Sequence, residues 1–517
     1  MNLRGFLLCV LVALSLATPA AAAPQGDTDA GKLPLGTPGL DEIRSVQRVA
    51  PGVTYTRIVR GQQSLTDFYT VDVAFEADRA AAERVAAQIE TDGYEPVIVD
   101  VRERAPDDPK TGPLGYLVRT GSFRTQDEAD ALRAELAANG YVGLRTVYTG
   151  EDGGETTGPW VVHVLGIEPD LYNGTVTPEL ATEVVPGRET LTSISDRTDS
   201  LAAMNGGYFV IGENDGTPGD LAGISVIDGA LVSEAVDGRT SLILPPGSGE
   251  GADIAAISDT MTATSSDGAT SEVDGLNRKP GLIRGCGGDG GDRPTEQPRH
   301  DFTCTDASEL IAFTPDFGAN TEPGPGVEAV LDSSGRVIEV RGTRGSTIPE
   351  NGSVLSGTGK AARWLLAHAK ARKTINITTN ITSGSALLAP GTGVVNGGPR
   401  LLSNSEPDIT AYAEGFVWPE NPEFYYRFGV RRNPRTLAGV TPEGTLLLVA
   451  VDGRQPGYSV GASFEESARI MRALGAEEAV NLDGGGSTTI TIGEELMNRP
   501  SDPTGERPIG DALVLLQ

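Results

Sequence analysis

A self-similarity with a 47-residue period is the strongest constraint in this 517-residue sequence. Tyr69 recurs as Tyr116, and Gly93-Tyr94 recurs as Gly140-Tyr141. Between them Ala82, Val85 and Ile89 recur as Ala129, Leu132 and Leu136, each set spaced i, i+3, i+7 along one helical face. Each half opens on an alternating strand (Tyr69–Phe75, Tyr116–Phe123) and continues through the helix to a glycine stop. Each then closes on a second strand (Pro96–Val101, Gly143–Tyr148). The two halves make a small βαβ-βαβ split α/β sandwich spanning residues 66–150.

The flanks differ in character. Met1 to Ala23 carries one positive charge, an apolar run from Phe6 to Leu16 and small residues at its end, the pattern of a secretory signal peptide over 1–23. Its apolar run is shorter than the roughly 20 residues of a bilayer span, and no later segment is apolar enough to span. The expected protein is therefore secreted or cell-wall associated, without a membrane span. Residues 24–65 read as a linker with one short strand near Thr54–Val59. Beyond the signal only Cys286 and Cys304 remain, an even pair that favours a disulfide in an exported chain.

From about Thr156 the sequence turns to short strands and glycine-rich turns. Helices are expected at Lys360–Arg372, Ser463–Leu474 and within Pro186–Ser200, and residues 155–517 read as one large domain. The expected fold class is α+β: the small βαβ-βαβ domain, then a large mixed α/β domain with a parallel βαβ unit near the C-terminus. That unit runs from the apolar Thr445–Val451 through a helix capped by Ser463 and Glu466 to Glu478–Leu482. Asp452 and Asp483 each follow the carboxyl end of one of its strands, where open α/β sheets place ligands. Neighbouring parallel strands lie about 4.8 Å apart. Two carboxylates on them fall within the roughly 5–10 Å range used in glycoside cleavage.

The run Gly484-Gly485-Gly486-Ser487 opens backbone N–H groups to a ligand. It is followed by a strand-like Ser487–Ile492 rather than a helix, which argues against a nucleotide loop. It is also not a Gly-x-Ser-x-Gly elbow. Asn205-Gly206-Gly207 and Asn396-Gly397-Gly398 are tight turns that set an amide beside open backbone, suited to sugar hydroxyls. Acidic side chains outnumber basic ones 71 to 41, a formal charge of -30, which disfavours nucleic acid as a partner. Against that background Arg427, Arg431, Arg432 and Arg435 form a local anion site. The three histidines are far apart and the acidic stretch Asp289–Asp292 lacks EF-hand spacing, so no metal and no cofactor are assigned.

Two family resemblances follow from these residues. Tyr116-Leu-Val-Arg-Thr-Gly-Ser-Phe123, Asp127-Glu128-Ala129, Leu136 and Gly140 resemble the SPOR (sporulation-related repeat) domain, which implies peptidoglycan as a partner of residues 66–150. Met204-Asn-Gly-Gly-Tyr-Phe209, Asp274-Gly-Leu-Asn-Arg278, Asn396-Gly-Gly-Pro399, Pro434-Arg-Thr436, Val451-Asp-Gly-Arg454 and Asn481-Leu-Asp-Gly-Gly-Gly-Ser487 resemble the phosphodiester glycosidase family. That resemblance implies hydrolysis between a sugar's anomeric carbon and a phosphodiester, with a glycan or sugar-1-phosphodiester as substrate. Asp483, Asp452 and Arg435 are the expected catalytic residues. Asn205, Gly206, Gly207, Asn277, Asn396, Gly397, Arg454, Gly484, Gly485, Gly486 and Ser487 are expected to hold substrate. The alternatives are a non-catalytic wall-glycan binder and a conventional O-glycoside hydrolase.

Overall fold

The computed structural model describes residues 31–236, 238–247, 251–285, 293–294, 303–382 and 385–517. The expected signal peptide and Cys286, with its pairing to Cys304, lie outside the described residues. Among the described residues no helix is long and apolar enough to cross a membrane.

The segment expected as a linker carries the short strand read near Thr54–Val59 but is also part of the main sheet. Glu42–Ala50 (β1) and Val53–Arg60 (β2) form an antiparallel hairpin, tightened by Gly52 at φ +74°. Val53 and Ile58 are fully buried, and β2 pairs along its whole length with a strand 100 residues later.

The repeat folds as Tyr69–Glu76 (β3), Arg79–Thr91 (α1), Pro96–Val101 (β4), Gly115–Phe123 (β5), Gln126–Ala138 (α2) and Arg145–Tyr148 (β6). Asp78 caps α1 by accepting from the Ala81 N–H at 2.8 Å, and Thr125 with Glu128 forms a capping box on α2. The four strands form an antiparallel sheet in the order β4-β5-β3-β6, so each helix crosses over a strand of the other half. Pleat alternation divides the side chains. Val71, Val73 and Val118 pack on Ala82, Ile89 and Leu136 of the helices, while Leu117 and Tyr148 enter the core of the large domain.

The large domain is built on an eight-stranded sheet. Its strands, besides β1 and β2, are Trp160–Ile167 (β7), Arg400–Ser403 (β8), Arg435–Val440 (β9), Leu446–Val451 (β10) and Glu478–Asn481 (β11), with a two-residue edge at Glu406–Pro407. The order is β1-β2-β7-β10-β9-β11-β8-edge. One face buries Val162, Val164, Leu437, Val449 and Val451 against Phe464–Ala473 (α3) and the small domain. The other buries Leu165, Ala438, Leu448 and Val480 against Met204 and Leu513 of a second sheet. All three helices expected here are present, at Leu191–Thr198, Gly359–His368 and α3.

The parallel βαβ unit requires a correction. Strands β10 and β11 run in the same direction but are not neighbours, because β9 lies between them and is antiparallel to both. The cause is local: β9 is joined to β10 by a short turn at Thr441–Thr445, and hairpin closure fills the position the crossover strand would need. The carboxyl ends of β10 and β11 are thus two strand spacings apart, about 10 Å. Arg435, at the start of β9, sits between them.

Ion pairs bolt the small domain down. Asp152 accepts from Arg119 of β5 and from Arg431, while Tyr426 stacks on Phe75 at 5.3 Å. Burial opposes ionisation of Asp152, but the two guanidiniums prevail and hold its carboxyl below the usual carboxylate range. The Asp152→Ala variant removes one of two acidic partners from each of two largely buried guanidiniums, leaving Asp72 on Arg119 and Glu151 on Arg431, so it should lose about 2 kcal/mol of unfolding free energy at neutral pH. Replacing the exposed Arg79, paired with Glu83, should change it by less than about 0.5 kcal/mol. Because the native pKa is depressed, the difference at Asp152 should be complete above about pH 4 and shrink in more acidic solution. Denaturant unfolding at pH 7 and pH 3 checks both statements.

Candidate functional site

The register of the main sheet decides what meets at its end. Arg435 pairs with Val451 and Leu437 with Asn481, so Arg435, Asp452 and Asp483 share one edge of the sheet. Alternation then separates the two aspartates. Val451 and Leu482 belong to opposite cores, so the next side chains, Asp452 and Asp483, leave the sheet on opposite sides.

Asp483 and Arg435 lie on the side that faces the small domain. Between that domain and the sheet is a cleft of about 1020 Å³ whose floor includes Asp483, Gly484 and Gly485. Nine arginines and five carboxylates line it, in a protein of net charge -30. Most of these arginines have acidic partners, including Arg431 with Glu151 and Asp152, Arg427 with Glu423, and Arg507 with Asp502. Arg435 and Arg454 do not. Among the described residues neither has a carboxylate within 4 Å. Arg435 donates to the carbonyls of Ala462 and Phe428 and lies over the ring of Phe464 at 4.4 Å. Burial pushes its pKa down to about 10, which leaves it charged at neutral pH. Arg454 is exposed, has φ +56°, and is steered by the Asn433 side chain at 2.9 Å. A Cβ on Gly485 would stand 3.3 Å from the Arg454 guanidinium, so glycine keeps that approach open.

Other expected residues are used by the fold. Asp452 is buried and does not line the cleft. It accepts from Asn498 at 3.0 Å, Tyr458 at 2.9 Å and the Arg499 N–H at 3.2 Å, and pairs with His163 Nε2 at 3.1 Å. His163 Nδ1 in turn meets the Tyr55 hydroxyl at 2.7 Å, so β2 reaches this hub. Asn205 donates to the Asp483 carbonyl at 2.7 Å and accepts from Thr436 and the Thr489 N–H. It positions the Asp483 backbone rather than facing the cleft. Asn396 accepts from the Tyr208 N–H at 2.8 Å. Asn277 is buried away from the cleft, bonded to Val232 and Thr314. Gly206, Gly207 and Gly397 serve close packing, since a Cβ on each would fall within 2.8 Å of Asp511, Asn396 or the Asn481 carbonyl. Gly486 and Ser487 are buried beneath the loop.

One carboxylate escaped the sequence reading. Asp511 heads the strand Asp511–Leu516, buried directly behind Gly206 and Gly207. Its Oδ1 accepts from the Gly207 N–H at 2.9 Å, and its Oδ2 has no hydrogen-bond partner among the described residues. Burial, reinforced by the charge of Asp483 and opposed by the Gly207 N–H, pushes its pKa up to about 7. The signal was present, an acid at the end of a continuous apolar run as with Asp452 and Asp483, but here it precedes the strand.

Comparison with known proteins places this architecture. The profile of the phosphodiester glycosidase family matches residues 326–516, and that of the SPOR domain matches residues 66–143. No curated protein matches the chain. The crystal structure of a "Putative exported protein" from Burkholderia pseudomallei is 35% identical with TM-score 0.86, over 98% of this chain and 100% of that one. A hypothetical protein from Synechocystis shares the fold at 18% identity and TM-score 0.54, over 92% of this chain and 76% of the other. The catalytic domain of zebrafish N-acetylglucosamine-1-phosphodiester alpha-N-acetylglucosaminidase aligns over 87% and 88% of the two chains, at 13% identity and TM-score 0.33. Residues 326–516 therefore carry a phosphodiester glycosidase domain and residues 66–143 a SPOR domain, in a chain akin over nearly its whole length to the Burkholderia protein.

Proposed function

We propose that the cleft hydrolyses the bond between a sugar's anomeric carbon and a phosphodiester on a cell-wall or exopolysaccharide glycan outside the cytoplasm. The observation that carries this reading is one carboxylate, Asp483, lining the same cleft as two guanidiniums, Arg435 and Arg454, that among the described residues have no carboxylate within 4 Å, in an otherwise acidic protein. A conventional glycosidase must protonate a poor alkoxide leaving group with a carboxylic acid. A phosphate monoester leaves as a stabilised anion, so fixed positive charge can replace that acid.

Asp483 stabilises positive charge at the anomeric carbon and receives the proton of the attacking water, or forms the covalent glycosyl ester that water later opens. The bond from C1 to the phosphate oxygen breaks, and its electron pair leaves with the phosphate. Arg435 and Arg454 hold that phosphate, and the Gly484-Gly485 backbone allows it to approach. Asn205 is a positioning residue through the Asp483 carbonyl. Asp452 acts at one remove, tying the Asn498–Arg499 segment to the end of β10.

Purified full-length protein offered sugar-1-phosphodiesters and aryl glycosides should cleave only the former, releasing free sugar and a phosphomonoester. Failure to cleave any phosphodiester in the panel, or equal cleavage of aryl glycosides, overturns the reading. Asp483→Asn should lower kcat by about 10²–10⁴-fold with unchanged circular dichroism. Arg454→Gln, at an exposed position, should raise KM for the phosphodiester about tenfold, and added salt should narrow that gap.

Asp511 supplies a pH dependence. Its pKa is raised in the fold, so it favours the native state while protonated, and that advantage is lost as pH rises from about 4 to about 7. Above that range a second negative charge behind Asp483 also repels an anionic substrate. Asp511→Asn should match the parent's stability near pH 4 and exceed it by a few kcal/mol at pH 8. It should also remove the rise in KM through pH 7. Parallel stability curves for parent and variant would contradict this assignment.

A further inference from the structure

The cleft has a second wall that the proposed chemistry does not use. Leu144 to Tyr148 of the small domain line it, together with Arg133 from α2. Among the described residues strand β6 pairs with β3 alone and is the edge of its sheet, and its residues line the cleft. The helix-free face of that sheet is not open. Leu117, Leu114 and Tyr148 pack with Trp160 and Phe464 in the core of the large domain, and Arg119 is tied to Asp152. The small domain is therefore fixed in place, and β6 with α2 is the part of it that meets the cleft.

The charge on that wall is positive. Arg145 is exposed and, among the described residues, has no carboxylate within 4 Å. Desolvation and the nearby Arg427 outweigh Glu423 and Asp72 and work against its charge, while Arg427 itself is already paired with Glu423, so Arg145 is the guanidinium on this wall that an anion would complete. Arg133 adds a third, shared with Asp130 at 3.2 Å. Small-ligand sites usually enclose roughly 300–1000 Å³. The cleft, at about 1020 Å³, exceeds what one sugar and one phosphate fill.

We propose that Arg145 and Arg133 of the small domain form a distal subsite for a second phosphate, so that the substrate is a polymer of phosphate-linked sugars rather than a single capped sugar. The inference rests on the reading of Asp483, Arg435 and Arg454 as the hydrolytic end of the cleft. The small domain then contributes to substrate selection from within the cleft, in addition to any contact it makes with wall glycan.

The test is steady-state kinetics of the full chain on a monomeric sugar-1-phosphodiester and on an oligomer carrying several such linkages. The parent is compared with the Arg133→Gln, Arg145→Gln double variant. The double variant should raise KM for the oligomer about tenfold at unchanged kcat, with the gap closing in high salt, and leave the monomer parameters alone. Equal effects on both substrates, or none on either, overturn the subsite. Calorimetric binding of the oligomer to parent and double variant is measured in parallel. If neither substrate is turned over, the hydrolytic reading fails by itself, while oligomer binding undiminished in the double variant still refutes the subsite.

Discussion

The carboxylate of Asp152 is the contact on which the arrangement of this molecule turns. It lies just after the small domain in sequence, receives Arg119 from that domain, and receives Arg431 from the large one. A carboxylate so largely removed from water is unfavourable unless paired, and here each of its two guanidinium partners comes from a different domain. Glu151 and the Arg432–Glu466 pair extend the same ionic seam to the capping box of α3. The cleft is the space left on one side of that seam. Its width is therefore set by buried charge pairing rather than by a flexible joint.

Much of the local structure was legible because it rests on short-range physics. The repeat gave its helices through i, i+3, i+7 spacing and their ends through Gly93 and Gly140. The ends of β10 and β11 followed from apolar runs ending in Asp-Gly. What could not be read was which strand would lie between those two. Direction is written in connection length, but neighbour identity depends on β9 closing a hairpin first, and nothing in β10 or β11 records that. The β1–β2 hairpin was hidden for a related reason. Its outer strand is mostly exposed, so its side chains carry little apolar pattern.

At the site, residue type was a better guide than residue role. An amide in a glycine turn has the same spelling whether it holds a sugar or a backbone, and Asn205 and Asn396 hold backbone. The arginine cluster was visible as an anomaly in an acidic chain. Its division into paired and unpaired members was not, because the partners Glu151, Asp152 and Glu466 are scattered along the sequence. Arg435 keeps its charge in a buried position through aromatic rings and carbonyls, a solvation that leaves its net positive field available to the cleft.

The hairpin β1–β2 also fixes what kind of object the small domain is. Strand β2 enters it, β7 leaves it, and these two strands are hydrogen-bonded neighbours in the same sheet from Val53–Ile167 to Arg60–Trp160. The repeat is thus an insertion within one continuous fold, anchored at both ends, rather than a bead at the end of a string. Truncation from the amino terminus would remove two strands of the main sheet along with it. Excision with a short bridge from Arg60 to Trp160 would keep the β2–β7 pairing, but it would strip Leu114, Leu117 and Tyr148 from the shared core and Glu151 and Asp152 from Arg431, so the two units are joined by packing and charge as well as by chain.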